Sequence, residues 1–381
     1  MRILHFYKTA YPDTVGGVEQ VIHQLCQQSH RFGMTCEVLA LSRHPSPKAI
    51  DMDGYKVYQV KENINIASTG FSVQAYSKFK ELAQQADIIN YHFPWPFMDV
   101  IHFASRIQKP SVVSYHSDII AQKKLLKLYR PLQKKFLSSV NRIIVASPNY
   151  LESSQVLPDY RDKISMIPIG LNKEGYPVPS PSLIERWAKQ LPERFFLFVG
   201  MLRYYKGLHT LLDAIQGTGY PLVIVGEGPK KQELMAQAEK LGLQNVFFLG
   251  KVDDVDKVAL IQLSTAIVFP SHLRSEAFGI ALLEGAMYGK PMISCEIGTG
   301  TTYINIANET GLTTPPENPT AFREAMRYLW DSPQEAAKMG EKAQLRYTEI
   351  FTGDQMLQGY MKIYQDLMSE HKPSPKSNSG W

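Results

Sequence analysis

Cysteine is scarce: Cys26, Cys36 and Cys295 are the only three in 381 residues. They show no CxxC spacing and no cysteine–histidine cluster along the sequence. That argues against a disulfide framework or a zinc site and fits a reducing compartment. No apolar run approaches ~20 residues, so no membrane-spanning helix is expected. The opening Met1-Arg2-Ile3-Leu4-His5 enters a strand at once, without the apolar stretch of a secretory signal. A cytoplasmic location is the expectation. No sequence repeat is visible.

What is present is a globular composition: 44% hydrophobic, 20% charged and 11% aromatic. The length exceeds one ordinary core and suggests two domains. The net charge is only +5, but it is unevenly spread. Residues 1–173 carry 21 Lys/Arg against 13 Asp/Glu, and residues 174–381 carry 20 against 23. A basic first half points to an anionic partner.

Two series of strands alternating with helices imply parallel sheets covered on both faces. The first runs through 3–7, 37–41, 55–60, 88–91, 111–115 and 142–146, with helices at 73–86 and 119–137. The second runs through 195–199, 222–225, 246–249, 266–269 and 291–294, with helices at 230–241 and 280–288. Three helices close the chain, at 320–330, 333–351 and 354–370. Residues 170–182 are rich in Pro and Gly and read as a linker. The expected domains are 1–172 and 173–352. Helix 353–370 is expected to pack back on the first domain, and 371–381 to be a disordered tail. Two doubly wound domains facing each other would place a ligand between the carboxyl ends of their sheets.

Several constellations could carry chemistry. Glu276 and Glu284 lie eight positions apart around Phe278-Gly279-Ile280. In a helix that is roughly 12 Å, with the side chains about 80° apart. Two carboxylates so placed suit a polyhydroxylated ligand, and the Phe278 and Gly279 amides suit an anion at a helix N-terminus. Two ordinary solvated glutamates are the bland alternative. Gly200 to Gly207 leaves a strand and enters a helix with Arg203 and Lys206, a fork and a movable charge for a diphosphate. An exposed basic loop is the alternative there. Gly226-Glu227-Gly228-Pro229 permits close backbone approach but reads equally as a turn. Val252 ends another strand, where its backbone could meet a nucleobase. Gly16-Gly17 precedes the first helix and could approach a phosphate, although this is also ordinary turn chemistry. His116 ends a buried strand, as a site residue or as a hydrogen-bonded structural histidine.

Residues 121–137 form a basic amphipathic segment: Lys123, Lys124, Lys127, Arg130, Lys134 and Lys135, interleaved with leucines and carrying Pro131, expected to kink the helix. Such helices lie on anionic membranes or bind anionic partners; a core-packed helix with a solvated face is the alternative. A nucleic-acid module is not recognisable. Asp51-Met52-Asp53 and Asp254-Val255-Asp256 match a metal-holding Asp-x-Asp pattern, but neither follows a strand as such a pair would need. Both read as caps or turns.

Gly16-Gly17, His116, Arg203 with Lys206, and the Glu-x7-Glu pair together resemble the family 4 glycosyltransferases of the GT-B fold. The resemblance covers nearly the whole chain. It implies two facing Rossmann-like domains with a deep cleft. Arg203 and Lys206 would hold the donor diphosphate, Glu276 the donor sugar, Glu284 the ribose, and His116 would lie near the reacting sugar carbon. It also implies retention of anomeric configuration and no metal or other cofactor. Ala277 stands where the family usually has Gly, and Gly298-Thr299-Gly300-Thr301 replaces the usual Gly-Gly loop. That loop, with Tyr115 to Ile119 and the lysine-rich helix, is similar to bacterial polysaccharide mannosyltransferases. This implies GDP-mannose as donor and a polyprenyl-diphosphate-linked GlcNAc or mannosyl-GlcNAc acceptor in O-antigen (lipopolysaccharide) biosynthesis. It also implies peripheral attachment to the anionic inner face of the inner membrane and a complex with other polysaccharide-assembly enzymes. A UDP-sugar donor and a non-catalytic sugar-nucleotide-binding protein are the alternatives.

Overall fold

The computed structural model describes residues 1–66, 69–120 and 123–371. Of the expected tail 371–381, His371 is described and its amide bonds back to Leu367 O at 3.2 Å, while 372–381 lie outside the described residues. The chain divides into two compact units. The first takes residues 1–145, 156–167 and the chain from 354; the second takes 146–155 and 168–353.

The first unit is built on strands β1 (Arg2–Phe6), β2 (Thr35–Ser42), β3 (Ile50–Met52), β4 (Tyr55–Lys61), the separate hairpin β5 (Ile64–Ile66) and β6 (Thr69–Phe71), then β7 (Ile88–Phe93), β8 (Ser111–Tyr115), β9 (Arg142–Val145) and β10 (Ile164–Met166). Eight of them form one sheet in the order β10-β9-β8-β7-β1-β2-β4-β3. Only β3 runs antiparallel to its neighbour. Strand order reverses between β1 and β7, so the carboxyl ends of these two strands mark a topological switch point, where open α/β sheets bind ligands. β7 and β8 are buried along their whole length. That is why they read as short uninterrupted runs and not as an alternating pattern. Helix Gly353–Glu370 buries Tyr360, Tyr364 and Leu367. It bonds to this unit through Tyr360 to Ser114 and Glu370 to Arg142.

The second unit has six parallel strands: β11 (Phe196–Val199), β12 (Leu222–Val225), β13 (Val246–Gly250), β14 (Ala266–Phe269), β15 (Met292–Cys295) and β16 (Gly311–Thr314). Their order is β13-β12-β11-β14-β15-β16, so the reversal falls between β11 and β14. Phe196 and Phe198, on one face of β11, pack in a core with Leu211, Leu212 and Ile215 of helix Leu208–Ile215 and with Phe322, Met326 and Leu329 of helix Pro319–Asp331.

The structure corrects the sequence in several places. The stretch read as a linker is organised: Lys173–Gly175 forms a 3-10 turn, and helix Pro181–Gln190 begins inside it. Ser180 caps that helix by accepting from the Leu183 amide, and Pro181 sits in its first turn. These are helix-start signals that the density of prolines masked. Helices Pro96–Ser105 and Pro148–Ser153 and strand β16 also escaped the sequence reading. Asp51, read as a cap or turn residue, lies in β3, an edge strand.

Candidate functional site

The switch point of the second sheet brings two loops together. Gly200 to Gly207 leaves β11, and Pro270 to Gly279 leaves β14. Gly207 has φ +71°, and a Cβ there would stand 2.0 Å from the Pro270 carbonyl oxygen. The two loops therefore touch backbone to backbone, which only glycine permits. Gly226 and Gly228 act likewise: a Cβ on either would meet Gly200 O at 2.0 Å or Leu202 O at 2.5 Å. The Gly-Glu-Gly-Pro turn thus supports the Gly200 loop from behind.

Across these loops the Lys206 ammonium pairs with the Glu276 carboxylate. Both side chains are only 12% exposed. Ser271 Oγ donates to the same Glu276 oxygen at 3.4 Å, and Lys206 Nζ lies 4.7 Å from the Phe269 ring centroid. Arg203 is exposed, with Nε 2.9 Å from Met201 Sδ. A movable cation, an exposed guanidinium and a carboxylate thus converge on one end of the sheet.

The helical geometry expected for Glu276 and Glu284 does not hold. Helix Ile280–Met287 starts after Glu276, because Gly279 has φ +105° and ends the loop. Glu276 therefore lies in the loop, and only Glu284 lies on the helix. Glu284 is buried; its Oε1 accepts from Tyr176 OH at 3.0 Å and from Lys257 Nζ at 2.8 Å. Burial pulls the Lys257 pKa down, but Glu284 and Asp254 outweigh it and hold Lys257 above its usual range. Asp254 is thus an ion-pair partner in the first turn of helix Asp254–Leu263. Phe278 is buried, Ile280 is half-buried, and Val252 is half-buried beyond β13. Gly300 lies against Phe278, where a Cβ would come within 2.5 Å of the ring, and its amide donates to Ala277 O at 2.9 Å. The Gly-Thr-Gly-Thr loop therefore shapes the backbone beside Glu276.

In the first unit His116 follows β8 and is not isolated. His92 Nδ1 lies 2.9 Å from His116 Nε2, and His92 Nε2 lies 3.0 Å from His5 Nδ1. The His92 and His116 rings are nearly coplanar, 8° apart with centroids at 5.2 Å, as an edge-to-edge hydrogen bond requires. Burial pulls the His116 pKa down to about 4. Burial, followed by the neighbouring His116 and His5, holds His92 well below the usual range. His116 and His92 are therefore neutral at pH 7. Gly16 caps helix Gly17–Gln27, and the Glu19 carboxylate folds back over it, accepting from Thr14 Oγ1 at 3.0 Å.

Among the described residues two groups have the donor atoms for a metal: His5, Cys26 and Cys36, and separately His209, His272 and Glu317. In each, the ligating atoms lie within 4.8 Å of one another. The second group adjoins the Gly207 loop. Its His272 is buried, and neither ring nitrogen has a hydrogen-bond partner among the described residues.

The family profile for group 1 glycosyl transferases matches residues 180–346, and that for Glycosyltransferase Family 4 matches residues 15–174. D-rhamnosyltransferase WbpZ of Pseudomonas aeruginosa is 61% identical over 352 residues, covering 92% of each chain. O-antigen chain mannosyltransferase C of Escherichia coli is 48% identical over 368 residues, covering 97% of this chain and 99% of that one. The chain is a family 4 glycosyltransferase. Its fold is GT-B: sucrose-phosphate synthase of Thermosynechococcus elongatus superposes with a TM-score of 0.81 at 19% identity, over 97% of this chain and 99% of that one. Anabaena HepE, solved with UDP and glucose, superposes at 0.76 and 19% identity over 95% and 99%.

Sequence reasoning missed the side chains that hold the candidate residues of each unit. Lys257 and Tyr176 hold Glu284, Ser271 holds Glu276, and His92 and His5 back His116. Lys257 sits beside the Asp-x-Asp pattern, so attention to metal ligands passed over it. Tyr176 lay in the supposed linker. The basic segment forms helix Lys123–Ser139, with Lys127, Arg130, Lys134 and Lys135 exposed. The side chains of Lys123 and Lys124 lie outside the described residues. Leu128 stands among these cations at 81% exposure, while Phe136 and Leu137 face inward. Lys135 Nζ lies 4.8 Å from the Phe103 ring centroid. Among the described residues no helix is long and apolar enough to cross a membrane.

Proposed function

We propose that this glycosyltransferase moves mannose from GDP-mannose to a polyprenyl-diphosphate-linked GlcNAc or mannosyl-GlcNAc acceptor during O-antigen assembly, with retention at the anomeric carbon. The pairing of Lys206 with Glu276 at the second sheet's switch point carries the reading. A sugar diphosphate offers an anion for Lys206 and Arg203 and hydroxyls for Glu276, so binding exchanges an internal ion pair for two ligand contacts. The bond between the anomeric carbon and the phosphate oxygen breaks. The acceptor oxygen bonds to the same face, and its proton passes to the leaving phosphate. The cations stabilise the charge that develops on that phosphate. Mannose as the sugar is supported by the 48% identity to the O-antigen chain mannosyltransferase.

A second donor has its own support. The 61% identity to a D-rhamnosyltransferase favours D-rhamnose, which is mannose without its 6-hydroxyl. The reaction is assigned no metal. Incubation with GDP-mannose, GDP-D-rhamnose or UDP-glucose, a lipid-diphosphate GlcNAc acceptor with and without one mannose, and EDTA separates these readings. Product mass and linkage are measured. A mannosylated product in EDTA is expected; turnover with UDP-glucose alone would refute the donor, and abolition by EDTA the metal-free step.

The exposed cations around Leu128 fit attachment to an anionic bilayer, Leu128 entering the interface while Lys127, Arg130, Lys134 and Lys135 meet headgroups. The enzyme would then work at the inner face of the inner membrane, where a lipid-linked acceptor and other polysaccharide-assembly enzymes are met.

A further inference from the structure

His116 is the near end of a single line of hydrogen bonds, and the far end determines where its proton sits. The line starts on the C-terminal helix. Tyr360 OH lies 2.9 Å from Ser114 Oγ, and Ser114 Oγ lies 3.2 Å from Asn90 Oδ1. Asn90 Nδ2 lies 3.3 Å from His5 Nδ1, which lies 3.0 Å from His92 Nε2. His92 Nδ1 completes the line to His116 Nε2 at 2.9 Å. Strand register explains the alignment: His5 sits opposite Asn90, and His92 opposite Ser114, in adjacent strands. His5, Asn90, His92, Ser114 and Tyr360 are all buried, so solvent does not compete along the line.

Each group fixes the next. Ser114 is the partner of the Tyr360 hydroxyl among the described residues, and because the one Ser114 proton goes to Asn90 Oδ1, the Tyr360 hydroxyl is the donor between them. Ser114 then gives its own proton to the Asn90 carbonyl oxygen. That orientation turns the Asn90 amide nitrogen, which only donates, toward His5 Nδ1. Nδ1 must therefore be bare, its single in-plane lone pair shared between the Asn90 amide at 3.3 Å and His92 at 3.0 Å, and the proton between His5 and His92 belongs to His92 Nε2. A neutral imidazole carries one proton, so His92 Nδ1 is an acceptor and His116 Nε2 is the donor that reaches it. His5 keeps its proton on Nε2. That atom has no hydrogen-bond partner among the described residues, and a ring nitrogen of His5 lies within 4.8 Å of the Cys26 and Cys36 sulfurs. Sulfur is a weak acceptor, so a proton there meets no stronger demand.

We propose that this line locks His116 in the Nε2–H form, presenting a bare Nδ1 as the acceptor for a ligand hydroxyl, with Tyr360, Asn90, His5 and His92 as positioning residues. The role in transfer rests on the reading that His116 faces the reacting sugar; the proton arrangement does not. The opposite arrangement would make Nδ1 a donor and select a different ligand atom. Reversing one ring requires reversing the whole line.

Long-range nitrogen–proton NMR of the histidine-labelled, full-length enzyme reads the tautomers without substrate. Nε2–H is expected for His92 and His116 at pH 7, and Nδ1–H on His116 would overturn the assignment. Tyr360→Phe keeps the ring and removes the anchoring proton. It is expected to give a mixed His116 tautomer and about a tenfold lower kcat with donor affinity unchanged. An unchanged tautomer and kcat would overturn the anchor. Asn90→Asp replaces the donor with an acceptor and is expected to put the proton on His116 Nδ1 and lower kcat about 100-fold; persistence of Nε2–H would refute the line. Full transfer by His116→Ala would remove the role in transfer, together with the placement of His116 at the reaction, while leaving the wild-type tautomers as measured.

Discussion

At the scale of single residues, Lys206 and Glu276 carry the most weight. Each leaves the other's charge stranded when removed, because both are mostly shielded from water. Breaking such a buried pair costs about 3–5 kcal/mol, less here to the extent that solvent still reaches both groups. Lys206→Ala is expected to lower transfer at least ~100-fold, the scale of losing one electrostatic stabiliser. Thermal unfolding should show a modest fall in Tm. The double variant Lys206→Ala/Glu276→Ala should lose less stability than the two singles summed. Full activity in Lys206→Ala would remove this residue from the site. The buried histidines give a pH prediction. His116 and His102 both have pKa values pulled down by burial to about 4, from the usual 6.5. Between those values the unfolded chain binds the extra protons, so stability rises with pH through that window. The contribution is complete above about pH 6.5 and is lost as pH falls toward 4. Calorimetry from pH 7 to 4 should show Tm falling more steeply in the wild type than in His102→Asn. Equal slopes would contradict the burial of a neutral His102.

At the scale of elements, the glycine turns position the chemistry. Gly207→Ala would set a Cβ 2.0 Å from the Pro270 carbonyl oxygen in a left-handed backbone. A cost of about 1–3 kcal/mol or more is expected, read as a lower urea midpoint and weaker nucleotide binding by calorimetry. Unchanged binding would mean that the two loops need not touch. Helix Lys123–Ser139 offers a second test. Leu128→Glu is expected to reduce flotation with anionic phospholipid vesicles while leaving turnover of a soluble acceptor analogue intact. Equal flotation would make this face an ordinary solvated one. This is also the scale at which sequence and structure differ most. The spacing of Glu276 and Glu284 was legible, but its helical meaning was not: the positive φ of Gly279 starts the helix late. Pro181 signalled a helix start, yet prolines at 177 and 179 gave the same stretch the look of a linker.

At the scale of the whole molecule, the last helix belongs to the first unit although the second unit comes between them in sequence. Tyr360, Tyr364 and Leu367 are buried there. Deleting residues 354–381 is expected to loosen β8 and β9 in hydrogen exchange while leaving protection in β11 to β14 unchanged. Uniform loss throughout would mean that the units do not unfold separately. The sequence by itself determined the α/β class, most strands of both sheets and the residues that mark the family. Those features are local: apolar runs, glycines at strand ends, and charges at fixed spacing. Only tertiary structure decided which of these residues meet. Lys206 and Glu276 are 70 positions apart; Tyr360 and Ser114 are 246 apart. Strand order and register bring such residues together, and both depend on which apolar faces pack, a choice made by the whole chain at once.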